Sequence, residues 1–473
     1  MSAVLNKVRV TSGGAKASTI RPYDELVRST QACMLWDKDF AEGGSSVADR
    51  IKALVQECKP DMVATLAVTA RNQMKLRTVP LVLARELARH KDLSKYPRLV
   101  STLLVDVIQR ADELATFLDL YWKDGKQPLS KQVKVGLSKA FSKFNEYELA
   151  KYKREAKEVS IKDVLFLVHA KPVDAVGKGK FTKAERKVTP VRPDATKGEL
   201  LFKKLVDGAL ATPDTWETEL SAGKDKKETF TRLMKEKKIG ALAFLRNLRN
   251  MQQAGVSAQV VADYANTVKV DKVLPFRFLA AARHVPAWEG ILEKMMFRCI
   301  EGMPKLKGKT VFIVDISGSM GAPLSAKSEL NRMDTALALA ILAKEQCENA
   351  VIYATAGSDG RRTHATAKVA DCRGFALADA IKQMNSSLGG GGIFLNQVMD
   401  FVAPKEQDAD RVLVLTDEQD CDTKCNPADA NAFAKKNYII NIASQKNGIA
   451  YEKFCHVTGW SENILSYIQI CES

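Results

Sequence analysis

Seven short runs that alternate between β-rich and helical character, starting at Thr310, constrain the fold of this chain more than any other feature. In order they read TVFIVDI, DTALALAILAKEQC, AVIYATA, FALADAIKQM, RVLVLTD, PADANAFAKK and YIINIA. The β-rich runs are almost wholly apolar, the pattern of parallel strands covered on both faces. Such an alternation predicts a doubly wound α/β domain, with ligands bound outside the carboxyl ends of its strands.

Asp315, Ser317 and Ser319 leave the first run in VDISGSM, and Asp417 leaves a later run at the same edge in VLVLTDEQD. Carboxylate and hydroxyl oxygens, completed by water, suit Mg²⁺. The motif, the strand before it and the helix after it resemble the metal-ion-dependent adhesion site of von Willebrand factor A domains. There, Asp-x-Ser-x-Ser is joined by a Thr and an Asp from other loops. The matching loop here, SSLGGGGIFLNQ, puts Gly392 or Ile393 where the Thr is expected. Ser386 and Ser387 are the nearby hydroxyls. Two readings stand: a degenerate Mg²⁺ site at Asp315, Ser317, Ser319 and Asp417, and a structural loop whose Asp315 and serines bond to backbone. Weak or absent Mg²⁺ binding is expected. The GGGG run lacks the Gly-Lys-Ser/Thr ending of a phosphate-binding loop. Cys421 and Cys425 have no second pair or histidine to complete a zinc site and read as ordinary thiols.

Before this region the pattern is helical almost throughout, from about Tyr23 to Phe297. DMVATLAVTARNQ, VPLVLARELARH, RLVSTLLVDVIQRADELATFLDLYW and KQVKVGLSKAFSKFN place apolar residues at helical spacing, with charges between them. Short polar or proline-containing joints separate them, as in stacked helix pairs of an α-solenoid. At 473 residues the chain is long for one domain. The expected division is an N-terminal segment at 1–22, a helical repeat domain at 23–300 and an α/β domain at 301–473.

Charge follows the same border. Residues 1–300 hold 54 Lys and Arg against 35 Asp and Glu, whereas residues 301–473 hold 18 against 21. A basic helical body beside a near-neutral α/β body points to polyanion binding by the first. The basic excess peaks between Lys131 and Lys187, with 15 Lys and Arg against 7 Asp and Glu. Lys131 and Lys134 open that stretch, and VGKGKFTKAERK, 176–187, reads as a lysine-rich loop. Few aromatic residues accompany the basic runs, so base stacking is not indicated.

No apolar run approaches the roughly 20 residues needed to span a bilayer. The amino terminus lacks the apolar core of a secretory signal, and the 9 cysteines show no paired spacing. A cytoplasmic protein with reduced thiols is expected. The five histidines have no neighbouring nucleophile or carboxylate pair, so an enzyme is not expected.

The order of motifs supplies a more specific resemblance. KYKREAKEVSIKDVLFLVHAKP, then ALAFLRNLRNM, then VLPFRFLAAARHVP and finally VDISGSM is similar to the TROVE module and A domain of Ro autoantigen proteins and their bacterial orthologues. NQMKLRTVPLVLARELARH fits the same module. The resemblance covers about residues 20 to 473. It implies a mainly α fold, a ring of HEAT-like helical repeats closed by a von Willebrand factor A domain. It further implies a noncatalytic, monomeric RNA-binding protein of a ribonucleoprotein. Such proteins hold Y-like RNA on an outer basic surface and single-stranded 3′ ends of misfolded RNA in a central hole. RNA quality control, in bacteria with an exoribonuclease, follows from the same resemblance. Carried onto this chain, the outer surface matches Lys151, Lys153, Arg154, His169 and Lys171. His169 can equally cap helix carbonyls. Arg71, Arg77, Arg246 and Arg249 lie in the best-matching repeats, as guanidiniums for RNA entering the hole or as partners of neighbouring helices. A competing reading is a cytosolic protein-binding scaffold that uses the A domain.

Overall fold

In the computed structural model the described residues are 9–10, 16–17, 21–31, 44–74, 76–152, 159–172, 196–271, 273, 276–301, 305–323, 331–423, 431–443, 453–458, 464, 465, 468 and 472. Lys153, Arg154, the lysine-rich segment 176–187 and Cys425 lie outside them. The chain divides into two compact units, Ile51–Ala222 and Met1–Arg50 with Gly223–Ser473.

The Ile51–Ala222 unit is helical, with its main helices at Pro60–Asn72, Val79–Leu87, Leu99–Val107, Ala111–Tyr121, Lys131–Phe141, Ile161–Leu167 and Lys197–Asp207. Local sequence sets their starts. Ser130, Asn145, Ser160, Thr196 and Thr215 each accept a hydrogen bond from a backbone N–H of the following turn. Pro60 and Pro80 occupy first-turn positions, where a missing N–H costs nothing. Leu103, Leu104, Phe117, Leu118, Leu137 and Phe141 are fully or almost fully buried. Gly136 is obligatory in this packing, because a Cβ there would lie 2.9 Å from Leu104 Cβ and 3.0 Å from Ser101 Cα.

The other unit joins helices, including Lys226–Lys235, Ala241–Gln253, Ala258–Thr267, Phe276–His284 and Glu289–Glu301, to a six-stranded sheet. Across the sheet the strands run Thr363–Lys368, Cys347–Ser358, Leu306–Asp315, Arg411–Thr416, Lys436–Asn441 and Cys455–Thr458. All neighbours are parallel except the first two. The expected apolar runs form parallel strands, and Thr363–Lys368 adds an antiparallel edge: only a short turn links it to Cys347–Ser358, and a parallel neighbour needs a crossover of about a dozen residues. The central strands Leu306–Asp315 and Arg411–Thr416 are buried through their apolar runs, and helix Arg332–Gln346, buried on most sides, packs on the sheet. The expected PADANAFAKK helix begins outside the described residues, and 431–435 are not helical.

The compact units do not follow the charge border near residue 301. Helices before that point are pinned to the α/β part. Nη1 and Nη2 of Arg283 both donate to the Asp334 carboxylate, which also accepts from the Asn331 N–H at the start of helix Arg332–Gln346. Glu293 accepts from Phe375 N at 2.9 Å. Among the described residues no helix is long and apolar enough to cross a membrane.

Candidate nucleic-acid interface and the carboxyl edge of the sheet

The candidate interface starts from helix Lys131–Phe141. Val133, Gly136, Leu137, Ala140 and Phe141 are buried, which turns Lys131, Lys134 and Lys139 outward. Ser142 Oγ, at the end of that helix, donates to Lys171 O at 2.8 Å and holds the exposed Lys171 beside it. His169 ends helix Ile161–Leu167 with φ 51°, while Ala170 N donates to Leu165 O at 3.0 Å. Backbone N–H groups, not the imidazole, therefore satisfy the last carbonyls. Lys151 is exposed on the short helix Glu146–Lys151. Among the described residues, Lys131, Lys134, Lys139, Lys151, His169 and Lys171 make no ion pair.

Other basic side chains of this unit are committed to the fold. Lys143 donates to Val105 O and Ile108 O at the end of helix Leu99–Val107, and burial lowers its pKa. Arg71 is 7% exposed and grips Glu113 with Nη2 at 2.9 and 2.8 Å. Burial lowers the Arg71 pKa, against the opposing pull of Glu113. Arg77 also reaches Glu113, at 3.2 Å, and donates to Asp112. These two arginines face carboxylates of their own unit. Arg246 and Arg249 differ: helix Ala241–Gln253 buries Phe244, Leu245, Leu248 and Met251, and both guanidiniums are on its exposed side. Neither makes an ion pair among the described residues.

At the carboxyl edge of the sheet the four expected metal-site residues do converge. Asp315 is fully buried; its Oδ1 accepts from Ser317 N at 2.8 Å and its Oδ2 from Thr416 Oγ1 at 2.7 Å. Burial, and after it the neighbouring Asp417 carboxylate, pushes the Asp315 pKa well above the usual carboxylate range. Ser317 and Ser319 hydroxyls are 3.2 Å apart. Asp417 is also fully buried; Oδ1 accepts from Gln419 N at 3.2 Å and Oδ2 from Arg332 Nη1 at 2.7 Å. Arg332 Nη1 also lies 3.3 Å from Ser319 O.

Sequence reasoning missed Arg332, whose only signal is a lone arginine at the start of a buried helix. Ile393 is 1% exposed and part of the apolar core, and position 392 is glycine, so neither expected position supplies the hydroxyl of the family Thr. Ser386 and Ser387 donate to carbonyls of their own helix, at 2.8 and 2.9 Å. As placed, these residues do not fit a hydrated divalent cation. Every Asp315 and Asp417 carboxylate oxygen already accepts a hydrogen bond, and the local positive charge is the guanidinium of Arg332. Glu418, on the same loop at φ 58°, accepts from Asn441 Nδ2 at 3.1 Å and lies 3.3 Å from His456 Nδ1.

The family model described as TROVE domain matches residues 208–343. That span includes the pinned helices, the Asp-x-Ser-x-Ser strand and most of helix Arg332–Gln346. No curated protein matches the sequence. The crystal structure of the Ro (RSR) protein of Deinococcus radiodurans is similar, with a TM-score of 0.60 and 16% sequence identity, over 95% of this chain and 100% of that one. Residues 208–343 thus match the TROVE domain family, and the chain has a fold similar to that of a Ro protein.

Proposed function

We propose that this protein binds noncoding RNA without catalysing a reaction on it, and that the Ile51–Ala222 unit carries the principal contact surface. The observation that supports this most is the set of exposed basic side chains at Lys131, Lys134, Lys139, Lys151, His169 and Lys171, which make no ion pair among the described residues. It stands on a unit with 32 Lys and Arg against 22 Asp and Glu. A phosphate backbone meets such a face by releasing condensed counterions. Arg246 and Arg249 offer exposed guanidiniums to a single strand.

In the same reading, a Y-like RNA occupies the outer basic surface and single-stranded 3′ ends of misfolded RNA enter the central hole that the Ro resemblance implies. The protein then works in RNA quality control as a cytoplasmic monomer within a ribonucleoprotein, with an exoribonuclease as partner. The alternative, a scaffold gripping an acidic side chain through a metal in the A-like domain, is disfavoured by Arg332 beside Asp417. We propose that Arg332, and not resident Mg²⁺, neutralises that edge.

The test is RNA binding by the full chain across a salt series. Each neutralised phosphate should add a slope of roughly 0.7 to 0.9 to the fall of log K with log salt. A flat salt dependence, or affinity no better than that of a neutral protein, refutes the reading.

A further inference from the structure

We propose that Tyr147, backed by Lys151, is a stacking platform for one unpaired nucleobase of RNA. The proposal rests on the RNA-binding reading above and adds to it a contact with a base. Aromatic residues look sparse along the basic stretch of sequence, but the fold brings two of them beside Lys151.

Tyr147 is 46% exposed, more than any other large apolar or aromatic side chain among the described residues. It sits on helix Glu146–Lys151, which is anchored by fully buried Leu149 and started by the reciprocal Asn145 and Glu148 cap. Four residues on, one helical turn away, Lys151 Nζ lies 5.5 Å from the Tyr147 ring centroid and 3.4 Å from its hydroxyl. The same ammonium is 5.8 Å from the ring of Tyr152, and the Arg110 guanidinium lies 4.3 Å from that ring. Rings and cations thus alternate along Tyr147, Lys151, Tyr152 and Arg110.

Among the described residues, the acidic side chains of this helix are already engaged. Glu146 accepts from Lys204 Nζ at 2.8 Å and from Ala211 N at 3.1 Å. Glu148 accepts from Asn145 N at 3.0 Å. Arg110 is held by Asp112 at 3.2 and 3.3 Å, which leaves Lys151 as the cation at the ring with no carboxylate partner among the described residues. An exposed π-face next to such a cation matches a nucleotide: the base lies on the ring and its phosphate meets the ammonium. Every base has a π-face, so the contact selects unpaired nucleotides over paired ones, not one base over another.

The experiment measures affinity of the full chain for two RNAs of equal length and charge, a hairpin with a loop of unpaired adenosines and a blunt-ended duplex. Tyr147→Ala should weaken the hairpin roughly tenfold and leave the duplex and the salt slope unchanged, the size expected when one base stack is removed. Tyr147→Phe and Tyr147→Trp should restore hairpin binding, whereas Tyr147→Leu, apolar but without a π-face, should not. Wild-type affinity of Tyr147→Ala for the hairpin overturns the platform. So does equal weakening on both RNAs, or failure of Tyr147→Phe to restore binding, which would assign the effect to the hydroxyl. If the wild-type chain binds neither RNA, the RNA-binding reading itself falls.

Discussion

Arg332 Nη1 lies 2.7 Å from Asp417 Oδ2, so a side chain supplies positive charge at the edge where the Asp-x-Ser-x-Ser motif converges. Asp417 is fully buried, and the side chain of Arg332 is 14% exposed. Removing one partner of a buried pair leaves an uncompensated charge, at a cost of about 3 to 5 kcal/mol. Arg332→Ala should therefore lower the urea midpoint sharply, and millimolar Mg²⁺ should recover part of the stability in the variant while leaving wild type unchanged. Tight stoichiometric Mg²⁺ binding by wild type in a calorimetric titration, abolished by Asp315→Ala, would sink this account.

The pinning of Arg283 to Asp334 makes a second prediction. Asp334 is 2% exposed, and its carboxylate also caps helix Arg332–Gln346 and lies 3.8 Å from Lys382 Nζ. Asp334→Ala should destabilise the chain more than Arg283→Ala, because it removes the carboxylate half of the capping box, which accepts from the Asn331 N–H, together with the ion pair. In a double-mutant cycle the two effects should fall short of adding, since both remove the same ion pair. Simple additivity in chemical denaturation would show that the pair contributes nothing.

Much of this architecture was legible in the sequence because apolar periodicity records burial. The runs TVFIVDI and RVLVLTD became central strands, and the spacing of Val133, Leu137 and Phe141 turned Lys131 and Lys134 outward. THATAK was not legible: it is an edge strand of mostly polar residues, intermediate or exposed throughout, and carries no apolar run. Long-range ion pairs were not legible either. Arg71 reads like a guanidinium for RNA until folding brings in Glu113, 42 residues away. Arg332 meets Asp417 across 85 residues, and no local pattern records that meeting.

Asp124 makes the stability of the Ile51–Ala222 unit sensitive to acid. Arg85 foremost, with Lys52, holds its pKa at about 2, below the ordinary 3.8. A depressed carboxylate contributes stability that is full above its unfolded pKa and is lost as pH falls through the folded one. The decline should therefore develop below about pH 4 and continue towards about pH 2. The Asp124 side chain is 46% exposed, so solvent keeps the effect near the size of an exposed pair, about 0.5 to 1 kcal/mol. Asp124→Asn should lower the urea midpoint at neutral pH and flatten its decline on acidification. An unchanged acid limb would remove Asp124 as the cause.

Two groups of basic residues in one unit should separate RNA binding from stability. Lys131, Lys134 and Lys171 are exposed without ion-pair partners among the described residues, whereas Arg71 is buried on Glu113. Charge reversal of the three lysines to Glu should leave the urea midpoint almost unchanged. It should also weaken RNA binding and reduce the slope of log K against log salt by up to about 0.9 for each phosphate that is no longer neutralised. Arg71→Met should behave in the opposite way. It leaves the fully buried Glu113 with Arg77, at 3.2 Å, as its remaining guanidinium partner, costs up to about 3 kcal/mol of stability, and leaves RNA affinity of the folded fraction and its salt slope as in wild type. Salt-titrated binding paired with chemical denaturation on the same samples distinguishes the two. If Arg71→Met lowers the salt slope as the lysine reversals do, its guanidinium reaches phosphate in the complex and the assignment of Arg71 to the fold fails.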